Sequence, residues 1–259
     1  MSARRRATPQ RIVCLCAEAA DLLFRLGAWD RVAGVTAYYQ SAAAAARKPR
    51  VSGFSKANLP QIVRLNPDLV ITFSDVQADL TAHLLRLGFP VLATNQRTLP
   101  EIEATLLLIA RAVGEEKRGS ALVKKFRTQT APAPIQSRRR PLVYFEEWNQ
   151  PLISGIAWVG ELIERAGGRD AFEEFHGRHR APDRVVDPAE VVRRDPEIIV
   201  ASWCGKPADL GSIARRPGWS RIRAVRDGRV HEIPARYILQ PGYPLVAGYR
   251  ELKKIIQGS

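Results

Sequence analysis

Hydrophobic positions along the chain follow two patterns that alternate from beginning to end. Short continuous runs, such as "RIVCLC" (11–16) and "DLVITFS" (68–74), are rich in β-branched residues and have the length of buried strands. Between them, apolar residues recur at helical spacing, as in "AADLLFRLGA" (19–28), where Gly27 is suited to end the helix. Strands that alternate with helices predict an α/β fold with mostly parallel sheets and helices on both faces.

The same patterns predict the remaining elements and the domain boundaries. Further strands are expected at "RVAGVT", "PVLAT", "PLVYFEEW", "EIIVASW" and "GRVHEIP", and further helices at "NLPQIVRLNP", "ADLTAHLLRLG", 99–113, 117–127, "WVGELIERAGG", "DPAEVVRRDP" and "PLVAGYRELKKIIQ". The Pro-rich stretch "TAPAPIQSRRRP" (130–141) is typical of a boundary. We therefore predict an N-terminal lobe at 1–98, a linking helical region at 99–134 and a C-terminal lobe at 135–259.

One helix–strand unit occurs twice in the chain. The segment "NLPQIVRLNPDLVITFS" (58–74) aligns with "DPAEVVRRDPEIIVASW" (187–203) without a gap, so that Pro67 meets Pro196 and Val70 meets Ile199. Two copies of one α/β unit predict two similar lobes.

The charge balance is strongly basic, with 40 Lys and Arg against 26 Asp and Glu and a formal net charge of +14. Such a chain can meet nucleic acid, a membrane surface or an anionic ligand. The arginines do not form one stripe, however, and their runs at 4–6 and 138–140 accompany no RNA-binding, zinc-finger or helix-turn-helix signature. We expect a scattered, solvated basic surface and no nucleic-acid partner.

The cysteines bear on the compartment. There are three, and Cys14 and Cys16 point to the same face of one strand, where they cannot easily bridge each other. Reduced, buried thiols fit a reducing compartment. The apolar run at 12–17 is short for a signal peptide, and no run approaches the ~20 residues of a membrane-spanning helix. We expect a cytoplasmic protein, with a periplasmic location as the alternative if a leader is missing.

Aromatic and polar residues stand where two equivalent strands end. Phe73 and Ser74 end the first-lobe strand, and Trp203 and Cys204 end its counterpart. Ligands of open α/β sheets bind outside the carboxyl ends of the strands. Trp203 is either a platform for a flat ligand or a cap on the core of its own lobe. Cys204 is either an axial ligand of a metal centre or an inert thiol, and the inert thiol is favoured because a thiol needs a nearby cation to become a good thiolate.

Catalytic and metal-binding signatures are absent from the sequence. It contains no Gly-rich dinucleotide fingerprint, no P-loop and no nucleophile elbow. Glu146 and Glu147 are adjacent and, on a strand, point to opposite faces, so they form no obvious acid/base pair. The four histidines are scattered, and His176 and His179 are interpreted as solvent-exposed. We predict neither an enzyme nor a metal site.

Four stretches resemble the class III periplasmic binding proteins, which bind cobalamin, ferric siderophores and haem. They are the first strand and helix (11–36), "RVSGFSKANLPQIVRLNPDLVI" (50–71), the linking region near 99–130, and "GELIERAGGRDAF" (160–172) followed by the second copy of the repeat. The pattern is most similar to the vitamin B12-binding members, and the resemblance covers most of the chain. It implies two α/β lobes joined by a long helix, with the ligand in a cleft between the lobes.

The resemblance also implies the ligand and its contacts. Phe54 takes the place of an aromatic that packs on a corrin ring, and Trp148 and Trp203 are expected to contact the same flat ligand. The implied ligand-binding residues are Tyr38, Tyr39, Phe54, Phe73, Ser74, Trp148, Trp203, Cys204 and Gln240. We expect a monomer that binds cobalamin or a related corrinoid. The alternatives are a haem or ferric-siderophore binder, in which Tyr38 or Tyr39 could bind iron although packing is favoured, and a cytosolic corrinoid-handling enzyme or chaperone.

In the transport-coupled family, a Glu on each lobe pairs with arginines of an ABC permease. Pro60 and Ala189 stand at those two places in this sequence. Glu190 is one residue further on, which is about 100° around a helix. The departure from the family pattern predicts that the chain does not dock on a permease as its relatives do.

Overall fold

The computed structural model describes residues 8–40, 48–134 and 140–258 and divides the chain into two compact units. The first unit comprises Met1–Gln96 and Pro100–Phe126, and the second comprises Arg97–Leu99 and Arg127–Ser259. Most of the region interpreted as a linker therefore belongs to the first unit. The arginine run at 4–6 and most of the arginine run at 138–140 lie outside the described residues.

A parallel sheet forms the centre of the first unit. Its strands are β1 (Ile12–Cys14), β2 (Val32–Thr36), β3 (Arg50–Ser52), β4 (Leu69–Phe73) and β5 (Val91–Thr94). They lie in the order β3-β2-β1-β4-β5, and every neighbouring pair is parallel. The central strands β1 and β4 are buried almost throughout, as their β-branched sequences predict.

Five helices accompany this part of the described chain. They are α1 (Ala17–Arg25), α2 (Leu59–Leu65), α3 (Ala78–Arg86), α4 (Leu99–Ala112) and α5 (Glu116–Gln129). The stretches at 99–113 and 117–127 form two helices, not one continuous helix, because Gly114 adopts a left-handed conformation with φ of 74° between them. A Cβ atom at Gly119 would clash with Ala110, so α4 and α5 pack closely together.

The sheet of the second unit is mostly parallel. Its strands are β6 (Leu142–Asn149), β7 (Leu152–Ser154), β8 (Arg169–Asp170), β9 (Ile198–Ala201) and β10 (Val230–Glu232). The order is β10-β9-β6-β7, and β8 also pairs with β6. Only the β6–β7 hairpin is antiparallel among these described strands. The sequence pattern missed β3, β7 and β8, which have three residues or fewer.

The helices of the second unit are mostly short. They are α6 (Ala157–Arg165), α7 (Pro188–Arg194), α8 (Leu210–Ala214), α9 (Arg223–Arg226), α10 (Ala235–Ile238) and α11 (Leu245–Gln257). Tyr144, Phe172 and Trp219 form an edge-to-face aromatic cluster inside the core of this unit. No helix in the described part of the chain has the length and apolar character needed to cross a membrane.

The internal repeat is confirmed as a structural repeat. Asn58 and Asp187 cap α2 and α7 by accepting a hydrogen bond from a backbone N–H of the first turn. Both helices end on a left-handed residue, Asn66 with φ of 45° and Asp195 with φ of 48°. Asn and Asp tolerate this conformation better than other residues with a Cβ atom. Each copy then continues into a buried strand, β4 or β9.

Candidate functional site

Parallel strands bring their carboxyl ends to one edge of a sheet, where ligands of α/β proteins bind. In the first unit this carboxyl edge consists of the segments that follow β1, β2, β3 and β4. Two predicted site residues meet there. Tyr38 follows β2 and Phe54 follows β3, and their rings pack edge to face with centroids 6.2 Å apart. Phe54 is 54% exposed and Tyr38 39% exposed, so the pair presents aromatic surface outward.

Tyr39 is different from its neighbour because it is buried. Its ring lies 5.5 Å from the ring of Trp29, and its backbone carbonyl accepts a hydrogen bond of 2.6 Å from Arg50. The packing alternative therefore describes Tyr39 in this structure.

Phe73 and Ser74 contribute to this edge mainly through their backbone, which makes a tight turn there. Ser74 has φ of 63°, and its Oγ accepts a hydrogen bond from the Val76 N–H at 3.3 Å. This turn starts a short 3-10 helix, Asp75–Gln77. The Phe73 N–H donates to Oε1 of Gln77, a buried residue that the sequence reasoning missed.

A buried carboxyl group lies just beyond β1. Glu18 is in the first turn of α1, and burial raises its pKa to about 7. Burial also raises the pKa of the neighbouring Cys16 thiol well above its usual value, and the Glu18 charge adds to that effect. The thiol therefore stays protonated and is a poor nucleophile at neutral pH.

The expectation that Trp203 offers a platform to a ligand is not met in this structure. Trp203 is 4% exposed and belongs to the core cluster of its own unit. Its indole N–H donates a hydrogen bond of 2.9 Å to Oε1 of Glu146. Trp203 therefore caps the core, which is the other interpretation that its sequence position allowed.

Glu146 explains why Trp203 turns inward. This carboxylate is fully buried and accepts hydrogen bonds of 2.5 and 2.8 Å from the two terminal nitrogens of Arg216. The Arg216 guanidinium lies 4.5 Å from the Trp219 ring. A buried charge is tolerated only when it is paired and its remaining acceptor sites are satisfied. The Trp203 N–H donates one of the hydrogen bonds that this buried carboxylate needs.

The neighbouring carboxylate is paired separately. Glu147 accepts a hydrogen bond of 2.6 Å from Arg184, which also donates to the Ser154 carbonyl. Glu146 and Glu147 thus reach two different arginines, as their alternation along β6 predicts. Both carboxylates are engaged in ion pairs and do not face each other as an acid and a base.

Trp148 and Lys206 form the outer part of the carboxyl edge in the second unit. The Lys206 ammonium lies 4.5 Å from the Trp148 ring and 4.8 Å from the Trp203 ring, within cation–π distance of both. Cys204 is exposed at the start of the same loop. Partial desolvation of the thiol and the Glu147 charge raise the pKa of Cys204, so the inert thiol is the better description. Gln240 is half-buried near α10.

The two histidines of "FHGRHR" have different environments. His179 is exposed and lines an open cavity of about 600 Å³ with Arg178, Arg180 and Asp183. The expectation of exposure is wrong for His176, whose Nε2 lies 2.9 Å from Oδ2 of Asp170 and packs against Gly160. Within the described ranges, no group of three or more His, Cys, Asp or Glu side chains could hold a metal ion.

Comparison with known proteins gives consistent matches over nearly the whole chain. A model of the family described as "Periplasmic binding protein" matches residues 12–237. An uncharacterized ABC transporter substrate-binding lipoprotein of Bacillus subtilis, YvrC, is 26% identical over 260 residues, covering 96% of this chain and 80% of that protein. The cobalamin-binding protein of Halobacterium salinarum (strain ATCC 29341 / DSM 671 / R1) is 26% identical over 251 residues, covering 92% of this chain and 67% of that protein.

Solved structures share the fold. The periplasmic heme-binding protein RhuT from Roseiflexus sp. RS-1, in its apo form, matches with a TM-score of 0.81 and 20% sequence identity. The match covers 96% of this chain and 98% of that one. The two-lobed α/β architecture is therefore established, whereas identity at this level carries no ligand with it.

The His176–Asp170 pair generates a prediction about pH. The hydrogen bond to Asp170 raises the pKa of His176 above its usual 6.5, although burial opposes the shift. A raised pKa in the folded state stabilises the protein fully below the unfolded value, and this contribution is lost as pH rises through the folded value. Between pH 6 and pH 8, the wild type should therefore lose more unfolding free energy than His176→Gln does.

Urea denaturation at several pH values measures this difference, and comparing variants cancels the titration of other groups such as Glu18. His179→Gln is the matched control, since His179 is exposed in the same loop. It should keep the pH dependence of the wild type. Parallel stability curves for the wild type and His176→Gln would show that the pair contributes nothing to the pH dependence.

Proposed function

Because this chain belongs to the periplasmic binding protein family, we propose that it binds cobalamin or a related corrinoid without covalent chemistry. It is a substrate-binding protein of the ABC-importer type, a family of binding proteins. The observation that carries the proposal is the exposed Tyr38–Phe54 pair at the carboxyl edge of the first sheet. The cobalamin-binding relative in Halobacterium salinarum supports the same ligand class.

The aromatic pair suits a corrinoid for a physical reason. A corrin ring has broad apolar faces and polar edges, and aromatic side chains bury such faces at a low cost in side-chain entropy. In our proposal, Phe54 and Tyr38 pack on the ligand from the first unit. Trp148 is a further aromatic candidate, at the end of β6 in the second unit. The carboxylates of β6 are held in ion pairs and have no catalytic role in this proposal.

Lys206 favours a second candidate, an anionic ligand such as haem or a ferric siderophore. Its ammonium is exposed beside the indole ring of Trp148, at the carboxyl edge of the second sheet. A haem carboxylate placed there would form an ion pair with the ammonium, whereas an amide side chain of a corrinoid carries no charge and would only accept a hydrogen bond from it. The net charge of +14 favours anionic ligands in the same way.

Absorption titrations with cyanocobalamin and with haem test these candidates. For a corrinoid ligand, Phe54→Ala should weaken cyanocobalamin binding by about 5- to 150-fold, because an exposed aromatic anchor is worth about 1–3 kcal/mol. Phe24→Ala is the matched control, since Phe24 is also exposed and packs edge to face on Trp29 at 5.8 Å. It should leave the affinity unchanged.

Lys206→Met separates the two ligand classes. It should leave corrinoid affinity within about twofold and weaken haem binding by about tenfold, the loss of one charge-assisted contact. Haem binding without cyanocobalamin binding, weakened by Lys206→Met, would replace the corrinoid proposal with the anionic one. Turnover of bound corrinoid in the same preparation would instead point to a corrinoid-handling enzyme.

We further propose that the protein stays in the cytoplasm. Cys14, Cys16 and Cys204 are all free, and the first two are buried. Unpaired buried thiols are typical of a reducing compartment. Fractionation of the native host, with the N-terminus of the protein mapped by peptides, tests this location, and a processed form in the periplasm would contradict it.

We also propose that this protein does not dock on an ABC permease. Pro60 and Ala189 are exposed near the starts of α2 and α7 and offer no charge. The Glu190 carboxylate forms ion pairs with Arg193 and Arg194, with nitrogen–oxygen distances of 2.5 and 2.6 Å. Hydrogen bonds from these two arginines lower the pKa of the Glu190 carboxyl to about 2, so the acid is already paired.

Co-purification with a B12-type ABC permease in detergent at physiological salt tests this proposal. The wild type should not be retained, because two charge-assisted contacts are missing. The double variant Pro60→Glu, Ala189→Glu should be retained if those positions face the permease. Retention of the wild type, abolished by Glu190→Ala, would contradict the proposal.

A further inference from the structure

Gln77 occupies the middle of the carboxyl edge of the first unit. It is 5% exposed, and its side-chain amide makes three hydrogen bonds to the backbone. Nε2 donates to the Leu15 carbonyl at 3.0 Å and to the Phe54 carbonyl at 2.9 Å, and Oε1 accepts from the Phe73 N–H at 3.0 Å. Both amide donors and the acceptor oxygen are therefore used.

The three backbone partners belong to three different segments. Leu15 follows β1, Phe54 follows β3, and Phe73 ends β4. β1 and β4 are neighbours in the sheet, but β3 pairs only with β2 among the described strands. No ladder hydrogen bond can thus tie the Phe54 segment to the central strands. The Gln77 side chain makes that connection.

Ser74 directs Gln77 inward. A residue other than Gly with φ of 63° is in a conformation that costs energy and persists only where the surroundings enforce it. Here the Ser74 N–H donates to the Thr94 carbonyl at 2.7 Å, and the Ser74 carbonyl accepts from the Gln77 N–H at 3.1 Å. The turn closes the short 3-10 helix tightly enough to place the Gln77 amide beneath the loops.

We propose that Gln77 is a positioning residue for ligand binding, because it fixes the backbone that carries Phe54. The proposal deepens the corrinoid function and rests on it for the ligand, whereas the placement of Phe54 is independent of any ligand. Ordering the Phe54–Tyr38 pair before the ligand arrives removes an entropic cost that binding would otherwise bear. Phe54 is exposed, so burial in a core does not hold its ring in one orientation.

Only an amide meets all three backbone groups. A Glu side chain would place carboxylate oxygens against the Leu15 and Phe54 carbonyl oxygens, which are both acceptors. A Leu side chain would remove the hydrogen bonds to the Leu15 and Phe54 carbonyls and from the Phe73 N–H. The choice of Gln is therefore specific to the geometry and is not explained by size or polarity alone.

The first arm of the test needs no ligand. Protein labelled with 3-fluorophenylalanine gives a fluorine resonance for Phe54, which is assigned by its loss in Phe54→Leu. Because an aromatic neighbour shifts that resonance, it reports the edge-to-face contact with Tyr38. Gln77→Leu and Gln77→Glu should both move the resonance toward the value of a free phenylalanine. Thr81→Val is the control, since it removes a hydrogen bond of 2.9 Å to Thr72 in the same unit without touching the loops.

The second arm is a double-mutant cycle on the affinity for cyanocobalamin. Gln77→Leu should weaken binding by about 3- to 10-fold, the cost of ordering one side chain and its loop on binding. In the Phe54→Ala background the same substitution should change the affinity by less than twofold, because Gln77 acts through Phe54. A residue with a purely structural role would give equal losses in both backgrounds.

The two arms distinguish the proposal from the function on which it rests. A wild type that does not bind cyanocobalamin sinks the corrinoid function, and the fluorine resonance still decides whether Gln77 positions Phe54. An unchanged Phe54 resonance in both Gln77 variants overturns the positioning role, as does an additive cycle. If Gln77→Leu does not fold, Gln77→Glu keeps the shape of the side chain and provides the same comparison.

Discussion

In each unit, the first strand pairs in parallel with the strand that ends one copy of the internal repeat. Both carboxyl edges depend on this pairing. In the first unit, Ile12 pairs with Leu69 and Cys14 with Ile71, which brings the segment after β4 beside the exit of β1. In the second unit, Tyr144 pairs with Ile199 and Glu146 with Ala201. Residues that are far apart in sequence thus meet at one edge. At each edge, a buried polar side chain then connects the segments that follow the strands.

The two units complete their edges with different chemistry. The first uses the neutral amide of Gln77, which satisfies three backbone groups and leaves Phe54 and Tyr38 exposed. The second uses the buried Glu146–Arg216 ion pair, which draws the Trp203 indole into the core. A buried ion pair restricts geometry strongly because breaking it leaves an uncompensated charge. Trp148, in contrast, is only partly buried and packs between this core and Lys206.

Sequence patterns were sufficient for most of the fold and for part of the site. Hydrophobic periodicity predicted the longer strands and helices, and the repeat predicted the two units, since both features reflect which side chains are buried. Hydrophobic periodicity could not decide whether the Trp203 side chain points outward, because its direction depends on the buried Glu146 carboxylate of another strand. The exposure assigned to His176 was wrong for a similar reason, because Asp170 reaches it from β8.

Gln77 and Lys206 were missed because each lies in a short segment between a strand and a helix, where no hydrophobic periodicity marks a residue. The repeat held a usable signal, since extending its alignment by three residues beyond Ser74 and Trp203 places Gln77 opposite Lys206. Both side chains bridge neighbouring segments of their carboxyl edge, one by hydrogen bonds and the other by cation–π contacts.

The central proposal is that the carboxyl edges of the sheets are the ligand-binding surfaces of this protein. Hydrogen–deuterium exchange with and without cyanocobalamin tests it most directly, because amide protection locates the ligand along the chain. We predict protection at 53–56, 73–77 and 148–150, with no change at 86–90, which precedes β5 at the opposite edge of the first sheet. Protection confined to 86–90, or spread evenly over the chain, would contradict the proposal.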